Sequence, residues 1–336
     1  MEKKFKRGLV LGKFMPVHKG HLFLINTAIE QCENVFVMVC TSKFEPINGL
    51  MRYLWVKMIY EDNKNVEIIH VETENPQKPE ECASTDIFYN EFWVPTVRKN
   101  IKSLDVVFTS EEYGDEFAQY LGIQHVLVDL DRIAHPISGT RVRNDAYTNW
   151  DFIPDEVKAY FTKRITIVGP ESTGKTMLSK KLATHYGVNH IEEYGREYTE
   201  KIKSTKDLVK EDFYLIADRH DLHIVHEHAT TTNKMLFVDT EALTTRIFGE
   251  MYISGYQDDR VDAIVQYQWF DLYILLDVDV PWVDDGTRDF PNERISHFNR
   301  IKSELDRLKK NYVVIKGNYD ERFEQAVKVC DNLLVK

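Results

Sequence analysis

Residues 165–176 read ITIVGPESTGKT, and this stretch decides the fold of the second half of the chain. Its first four residues are apolar or β-branched and predict a buried strand. The segment from Gly169 to Thr176 then matches the pattern GxxxxGK followed by Ser or Thr, in which backbone N–H groups wrap phosphates ahead of a helix. The pattern makes Lys175 a catalytic candidate and Thr176 a ligand of Mg²⁺. The predicted ATP-binding residues are Gly169, Pro170, Glu171, Ser172, Thr173, Gly174, Lys175 and Thr176.

The apolar run MLFVD at residues 235–239 predicts a further buried strand, and it ends on an acidic residue. A carboxylate at such a position can hold Mg²⁺ through water or take the proton of an acceptor hydroxyl. Asp239 is therefore the second catalytic and Mg²⁺-binding candidate of this half. An aspartate at a strand end also serves as a simple turn residue.

Two polar segments of the second half supply substrate-binding candidates. Residues 193–198 read EYGREY, and Tyr194 and Arg196 are candidates for lining an acceptor pocket. An ordinary helix start with surface ion pairs fits the same residues. Residues 284–294 read DDGTRDFPNER and favour a lid that brings Arg288 or Arg294 to the transferring phosphoryl group. A solvated loop explains either arginine taken alone nearly as well.

Short apolar runs alternate with amphipathic stretches through both halves of the chain, which is typical of βαβ units and a parallel sheet. The pattern restarts after about Phe161, and residues 144–164 combine polar residues, a proline and a short helical pattern. We therefore predict an α/β domain over 1–150, a linker helix over 151–163 and a second α/β domain over 164–336, both with parallel sheets. Ligands of such sheets bind at the carboxyl ends of the strands.

The first predicted strand, GLVLG at 8–12, leads into the loop GKFMPVHKGH at 12–21. We expect a helix to begin at His21. The N-terminus of such a helix favours anions. The imidazoles of His18 and His21 can donate hydrogen bonds there to phosphate oxygens in nucleotidyl transfer. A second segment, ISGTRVR at 137–143, offers Ser138 as a helix cap and Arg143 one turn further on. His18 and His21 are the catalytic candidates here. The predicted ATP-binding residues are Gly12, Lys13, Phe14, His18, His21, Ser138, Thr140 and Arg143.

Each of these two segments has a plainer interpretation when it is taken alone. The HxGH pattern also occurs in surface loops, and metal ligation is conceivable, although no third carboxylate or histidine lies nearby in sequence. ISGTRVR alone is a plain helix start. Together they resemble the (H/T)xGH and ISxTxxR signatures of the nucleotidyltransferase superfamily.

The bulk composition limits the partners of the chain. The 336 residues carry a formal net charge of −11, which disfavours non-specific nucleic-acid binding. The basic and then apolar start lacks the length and cleavage site of a signal peptide, and no run approaches a membrane span. The four cysteines are scattered, as is typical of a reducing compartment. We expect a cytoplasmic protein without membrane insertion, and a homo-oligomer is compatible with the sequence.

The order of these motifs resembles the NadR family of bifunctional nicotinamide mononucleotide adenylyltransferases and ribosylnicotinamide kinases. The resemblance covers nearly the whole chain and includes MRYLW at 51–55, TSEEYG at 109–114, EYGREY, FVDT and PWVDDGTR besides the segments quoted above. It implies a Rossmann-like nucleotidyltransferase domain followed by a P-loop kinase domain, both serving NAD salvage with ATP and Mg²⁺. Some members also carry an N-terminal helix-turn-helix domain. Because the first strand begins within ten residues here, we expect no such domain and no nucleic-acid partner.

The resemblance also implies flat, cationic nicotinamide substrates, namely ribosylnicotinamide and nicotinamide mononucleotide, with NAD as the product. A planar aromatic ring suits such a group. Trp93 is the candidate for stacking in the first site, and a core tryptophan is the alternative interpretation. Arg52 in MRYLW is a weaker substrate-binding candidate.

Two competing functions share part of this pattern. An FAD synthetase joined to a riboflavin kinase has an HxGH-type first domain, but its second domain is a β-barrel without a phosphate-binding loop. A nucleotide-sensing regulator would have lost one activity, whereas all the phosphate-handling residues are present in this chain.

Overall fold

The computed structural model describes residues 3–202, 208–283 and 289–335. It divides into two compact units, Met1–Val157 and Lys158–Lys336, and each is an α/β unit built on its own sheet. No helix in the described part of the chain is long and apolar enough to cross a membrane.

The N-terminal unit holds a five-stranded sheet in the order β3-β2-β1-β4-β5, and every neighbouring pair is parallel. Its strands and helices, with α7 at the division between the units, are β1 (Phe5–Gly12), α1 (Lys19–Gln31), β2 (Cys32–Thr41), α2 (Gly49–Ile59), β3 (Val66–Glu72), α3 (Thr85–Ile87), α4 (Val94–Asn100), β4 (Val106–Thr109), α5 (Gly114–Leu121), β5 (Gln124–Leu127), α6 (Gly139–Asn144) and α7 (Asp155–Phe161). The central strand β1 and its neighbour β4 point their carboxyl ends at the loop that follows β1.

The C-terminal unit holds a second five-stranded parallel sheet, in the order β10-β9-β6-β8-β7. Its elements are β6 (Lys163–Val168), α8 (Lys175–Tyr186), β7 (His190–Ile191), α9 (Tyr194–Ile202), α10 (Lys210–Thr230), β8 (Met235–Asp239), α11 (Ala242–Tyr252), α12 (Asp259–Tyr267), β9 (Leu272–Leu276), α13 (Arg294–Arg307), β10 (Tyr312–Ile315) and α14 (Tyr319–Leu334). Apolar clusters cover both faces of this sheet, as a parallel sheet requires. The predicted α/β class with parallel sheets in both halves is confirmed.

The first helix differs from the sequence prediction. The first helix begins at Lys19 and not at His21, because the side chain of His18 caps it. Further along the chain, residues Phe88–Trp93 form a π-helical turn directly before α4. Pro95 stands in the first turn of α4 and has no N–H to continue a regular ladder.

Candidate functional sites

The N-terminal unit has a cavity of about 1080 Å³ at the carboxyl ends of β1 and β4. Both predicted segments line it, and so do all eight predicted ATP-binding residues of this unit: Gly12, Lys13, Phe14, His18, His21, Ser138, Thr140 and Arg143. The structure therefore brings together two segments that are separated by more than a hundred positions in the sequence.

His18 and His21 form a reciprocal cap at the start of α1. The backbone N–H of His21 donates to Nδ1 of His18 at 3.3 Å, and the backbone N–H of His18 donates to Nδ1 of His21 at 3.3 Å. The two rings stack with their centroids 3.7 Å apart. Because Nδ1 accepts in both rings, a neutral imidazole must carry its proton on Nε2. The cap thus fixes the tautomer in which each Nε2–H is a donor.

Both imidazoles are held neutral by their surroundings. Burial lowers the pKa of His18 to about 3, and the charge of Arg132 adds to this effect. Burial also lowers the pKa of His21 well below its usual value, with smaller contributions from His18 and Arg132. The pair can therefore donate hydrogen bonds to a phosphate at neutral pH without carrying charge themselves.

The ISGTRVR segment closes against the loop after β1. Ser138 caps α6 by accepting the N–H of Arg141 at 3.2 Å. Arg143 donates to the carbonyl of Met15 and, at 3.1 Å, to the hydroxyl of Thr140. A Cβ added at Gly139 would lie 2.5 Å from the same Met15 carbonyl oxygen, so only glycine allows this approach. Loop and helix are joined on one wall of the cavity.

Arg52 lies behind that loop and does not line the described cavity. It is fully buried and donates to the carbonyl of Lys13 at 2.5 Å and to Glu45. Glu45 also accepts from the ammonium of Lys13 at 3.0 Å. The side chain of Arg52, which was predicted to bind substrate, is therefore placed to hold the backbone of Lys13.

Trp93 belongs to the hydrophobic cluster of the N-terminal unit and also lines its cavity. Only 8% of its surface is exposed, and its Nε1 donates to the carbonyl of Pro76 at 3.0 Å. The ring of Phe88 lies 6.3 Å from it. Its position combines the two interpretations that the sequence left open, a core residue and a wall of the site.

Among the cavity-lining side chains that the sequence analysis missed are Arg132 and His135, one cationic and one potentially cationic. Both lie in the turn between β5 and α6, and Arg132 has a left-handed backbone with φ of 54°. The carboxylate of Asp129 organises this turn by accepting the N–H groups of Ile133 and Ala134 at 2.7 and 3.1 Å. The only signal in the sequence was their proximity to ISGTRVR.

The C-terminal unit has a cavity of about 390 Å³ at the phosphate-binding loop, lined by residues 171–176 of that loop. The ammonium of Lys175 donates to the carbonyl of Pro170 at 3.2 Å. The hydroxyl of Thr176 donates to the carboxylate of Asp239 at 2.5 Å, and Asp239 is fully buried at the end of β8. The hydroxyl and carboxylate predicted to serve Mg²⁺ are therefore adjacent.

The opposite wall of this cavity is aromatic. It is formed by Phe213 of α10 and by Phe248 and Tyr252 of α11, none of which the sequence analysis identified. Arg196 lines the cavity, whereas the ring of Tyr194 contacts Tyr198 and His223 and is not among the described lining residues. Aromatic walls beside a phosphate loop can hold a flat acceptor.

Two further carboxylates face this cavity, Glu171 and Glu193. Burial raises the pKa of Glu193, and the nearby ammonium of Lys175 opposes that rise. Burial likewise raises the pKa of Glu171, which accepts the N–H groups of Asp289 and Phe290 at 3.2 and 3.1 Å. A carboxylate with a raised pKa is suited to accept a proton from a substrate.

Arg294, predicted to reach the transferring phosphoryl group, donates to two backbone carbonyls. Its guanidinium binds Val280 at 2.9 Å and Ser172 of the phosphate loop at 3.3 Å. Arg288, the other candidate of the predicted lid, lies outside the described residues.

A helix N-terminus with neutral histidine donors in one unit and a phosphate-binding loop in the other define a two-unit, nucleotide-dependent transferase. Family models agree with this division, since a Cytidylyltransferase-like model matches residues 9–145 and an AAA domain model matches 164–322. The trifunctional NAD biosynthesis/regulator protein NadR of Escherichia coli K12 is 30% identical over 97% of this chain and 83% of its own length. The chain belongs to the NadR family.

Other relatives match one unit or the fold. The nicotinamide-nucleotide adenylyltransferase of Thermococcus sibiricus is 23% identical over 46% of this chain and 82% of its own. The crystal structure of a NadR protein in complex with NR superposes with a TM-score of 0.79 at 21% identity, over 100% of this chain and 98% of that one. This likeness shows that the whole fold is shared.

Proposed function

We propose that this chain makes NAD in two ATP-dependent steps. The C-terminal unit transfers the γ-phosphoryl group of ATP to the 5′-hydroxyl of ribosylnicotinamide, which gives nicotinamide mononucleotide and ADP. In the N-terminal unit, a phosphate oxygen of nicotinamide mononucleotide then attacks the α-phosphorus of a second ATP, and NAD and pyrophosphate leave. The observation that carries the proposal is the presence of two complete phosphate-handling sites in one member of the NadR family.

In the kinase step, the phosphate-binding loop holds ATP and the aromatic wall of Phe213, Phe248 and Tyr252 holds the nicotinamide ring. Lys175 leaves the carbonyl of Pro170 to neutralise the β- and γ-phosphates. Glu193 accepts the proton of the 5′-hydroxyl, since it lines the cavity and its pKa is raised by burial. Arg196 is positioned to bind polar groups of the acceptor.

Mg²⁺ fits the same site. Thr176 and Asp239 offer a hydroxyl and a carboxylate side by side, and Mg²⁺ commonly takes one or two protein oxygens and completes its shell with water and phosphate. No group of three acidic, histidine or cysteine side chains within the described residues forms a protein-only metal cage. Bound there, Mg²⁺ would neutralise charge that develops on the transferring phosphoryl group.

In the adenylyl-transfer step, the Nε2–H donors of His18 and His21 stabilise charge on the α-phosphate, and Arg143 binds the departing pyrophosphate. No proton has to move for this chemistry, because the attacking phosphate is already ionised at neutral pH. Trp93 stacks on the nicotinamide ring. Arg52 acts indirectly, by holding the Lys13 carbonyl.

The test is to incubate the purified chain with ribosylnicotinamide, ATP and Mg²⁺, and to follow products by liquid chromatography and mass spectrometry. We expect nicotinamide mononucleotide with ADP first, and then NAD with an equimolar amount of pyrophosphate. Riboflavin and flavin mononucleotide serve as parallel substrates. Formation of FAD would favour the FAD synthetase and riboflavin kinase alternative. Binding of ATP without any product would favour the nucleotide-sensing regulator.

A further inference from the structure

The buried arginine of α14, Arg322, contacts the phosphate-binding loop from the side opposite its ligand face. Only 2% of its surface is exposed. Its guanidinium donates to the carbonyls of Thr173 at 2.6 Å, Gly317 at 2.8 Å and Asp277 at 2.9 Å, and it pairs with the carboxylate of Asp279. One side chain therefore connects the phosphate loop to the segments that follow β9 and β10.

The contact with Thr173 fixes the direction of a peptide group. In a trans peptide the C=O and the N–H of the next residue point to opposite sides. Because the Thr173 carbonyl points at Arg322, the N–H of Gly174 points away from it, towards the concave side of the loop. N–H groups on that side are the ones that bind phosphate oxygens in loops of this pattern.

The neighbouring peptide is held in the same way. Arg294 donates to the carbonyl of Ser172, so the N–H of Thr173 is directed to the concave side as well. Gly174 has a left-handed φ of 89°, and Tyr319, at the start of α14, packs against it so closely that an added Cβ would lie 2.9 Å from the ring. Three independent contacts therefore define the shape of this turn.

We propose that Arg322 is a positioning residue of the kinase site, which holds the Thr173–Gly174 peptide so that the Gly174 N–H faces the β-phosphate before ATP arrives. Arg322 never touches the nucleotide. Its contribution is preorganisation, since an amide that already points at the anion needs no rearrangement on binding. Its buried charge is balanced by Asp279, which also accepts the N–H of Gly317. This inference rests on the proposed kinase function.

The test compares the variant Arg322→Met with Arg164→Met in the full-length chain. Arg164 is also a buried arginine, but it lies at the start of β6, about 16 Å along the strand from the phosphate loop. It stacks on Trp269 at 3.9 Å. Both variants lose a buried guanidinium and should lose thermal stability. Only Arg322→Met should raise the KM for ATP in the kinase reaction, by at least tenfold, while the KM for ribosylnicotinamide changes less than twofold.

Calorimetric titration with ADP and Mg²⁺ gives a readout that does not depend on the acceptor. We expect the Kd of ADP to rise at least tenfold in Arg322→Met and less than twofold in Arg164→Met. Failure of the wild type to phosphorylate ribosylnicotinamide would refute the proposed function, yet the ADP titration would still decide the role of Arg322. An unchanged Kd, or an equal rise in both variants, would overturn the inference.

If the Arg322→Met variant does not fold, the Arg322→Lys variant provides a second test of the same role. A lysine retains the charge but cannot hold three carbonyls and a carboxylate in one plane. We expect a rise of at least threefold in the Kd of ADP, with an unchanged KM for ribosylnicotinamide. A lysine variant that binds ADP as tightly as the wild type would show that Arg322 contributes to stability alone.

Discussion

His18 and His21 show how a pair of side chains can prepare a site for an anion that carries several charges. Each Nδ1 is occupied by a backbone N–H of the other residue, so neither ring can turn without breaking the cap of α1. Because burial lowers both pKa values, the donors stay neutral at neutral pH and keep the same hydrogen-bonding pattern. The positive charge that a polyphosphate needs comes from other lining side chains, among them Lys13, Arg132 and Arg143.

Trp93 allows a prediction at the scale of a single side chain. Trp93→Ala should raise the KM for nicotinamide mononucleotide by roughly 2- to 30-fold, the equivalent of losing a stack of about 0.5 to 2 kcal/mol. The ribosylnicotinamide kinase reaction should keep its rate. Steady-state assays of both half-reactions provide the measurement.

Because Trp93 is also a core residue, its truncation should cost stability as well. Trp55→Ala is the matched control, since Trp55 is similarly buried in the same unit and does not line the described cavity. Trp93→Phe keeps an aromatic face and should recover most of the affinity. If the control shifts the KM as much as Trp93→Ala does, the stacking role is wrong.

At the scale of elements, an ion-pair network joins helix α13 to helix α11, which lines the kinase cavity. Glu304 of α13 is 4% exposed and contacts three arginines: Arg246 of α11, and Arg300 at 2.9 Å and Arg307 at 2.7 Å on its own helix. Helix α11 contributes the aromatic wall, and α13 begins with the arginine that holds the phosphate loop. The network therefore joins the helix that carries Phe248 and Tyr252 to the helix that begins with Arg294.

This network predicts a dependence of stability on pH. Hydrogen bonds and charges of the three arginines outweigh burial and lower the pKa of Glu304 to about 2. Because the pKa of Glu304 is lower in the folded protein than in the unfolded chain, its ionised form stabilises the fold. This contribution to the free energy of unfolding is fully present above the unfolded pKa near 4.5 and is lost as the pH falls towards 2. That contribution is on the order of 3 kcal/mol at neutral pH.

Thermal unfolding of Glu304→Gln, followed by circular dichroism, measures this contribution. We expect the Tm of the transition assigned to the C-terminal unit to fall by roughly 5 to 10 °C at pH 7. The difference in Tm between Glu304→Gln and the wild type should become steadily smaller as the pH falls from 4.5 to 3. Glu324→Gln, which removes an exposed carboxylate from α14, should leave the Tm within about 1 °C. A difference that stays constant down to pH 3 would argue against the network.

At the scale of the whole molecule, the chain carries two complete sites on two separate sheets. The histidine site is built entirely from residues of the first unit, and the phosphate-loop site from residues of the second. Within the described residues, neither cavity takes a lining side chain from the other unit. We infer that the two half-reactions are chemically independent.

Independence predicts that each activity can be removed alone. His21→Ala should lower adenylyl transfer by about 10²- to 10³-fold, because a donor aimed at the reacting phosphate is lost, while nicotinamide mononucleotide accumulates from ribosylnicotinamide. Lys175→Ala should abolish ribosylnicotinamide phosphorylation and still allow NAD to form from supplied nicotinamide mononucleotide. Both half-reactions are assayed on both variants, with circular dichroism to verify folding. Loss of both activities in either folded variant would require a shared site or tight coupling.

Much of this architecture could be predicted from local patterns. The strand ending at Asp239 has the predicted bounds, because a fully buried parallel strand is a continuous apolar run. The aromatic wall from α10 and α11 was missed, since the side of a helix that meets a cavity is decided by packing between distant segments. Arg52 was predicted to bind substrate, whereas its guanidinium donates to the carbonyl of Lys13. A sequence motif does not reveal whether its arginine faces a ligand or a backbone carbonyl.

The contact between Gly139 and the Met15 carbonyl limits which substitutions at position 139 evolution can accept. Every missense codon at position 139 adds at least one carbon, and that carbon would lie 2.5 Å from an oxygen atom. Among descendants that still depend on the first site, position 139 should change only where the loop around Met15 changes as well, whereas the exposed Lys19 can vary freely.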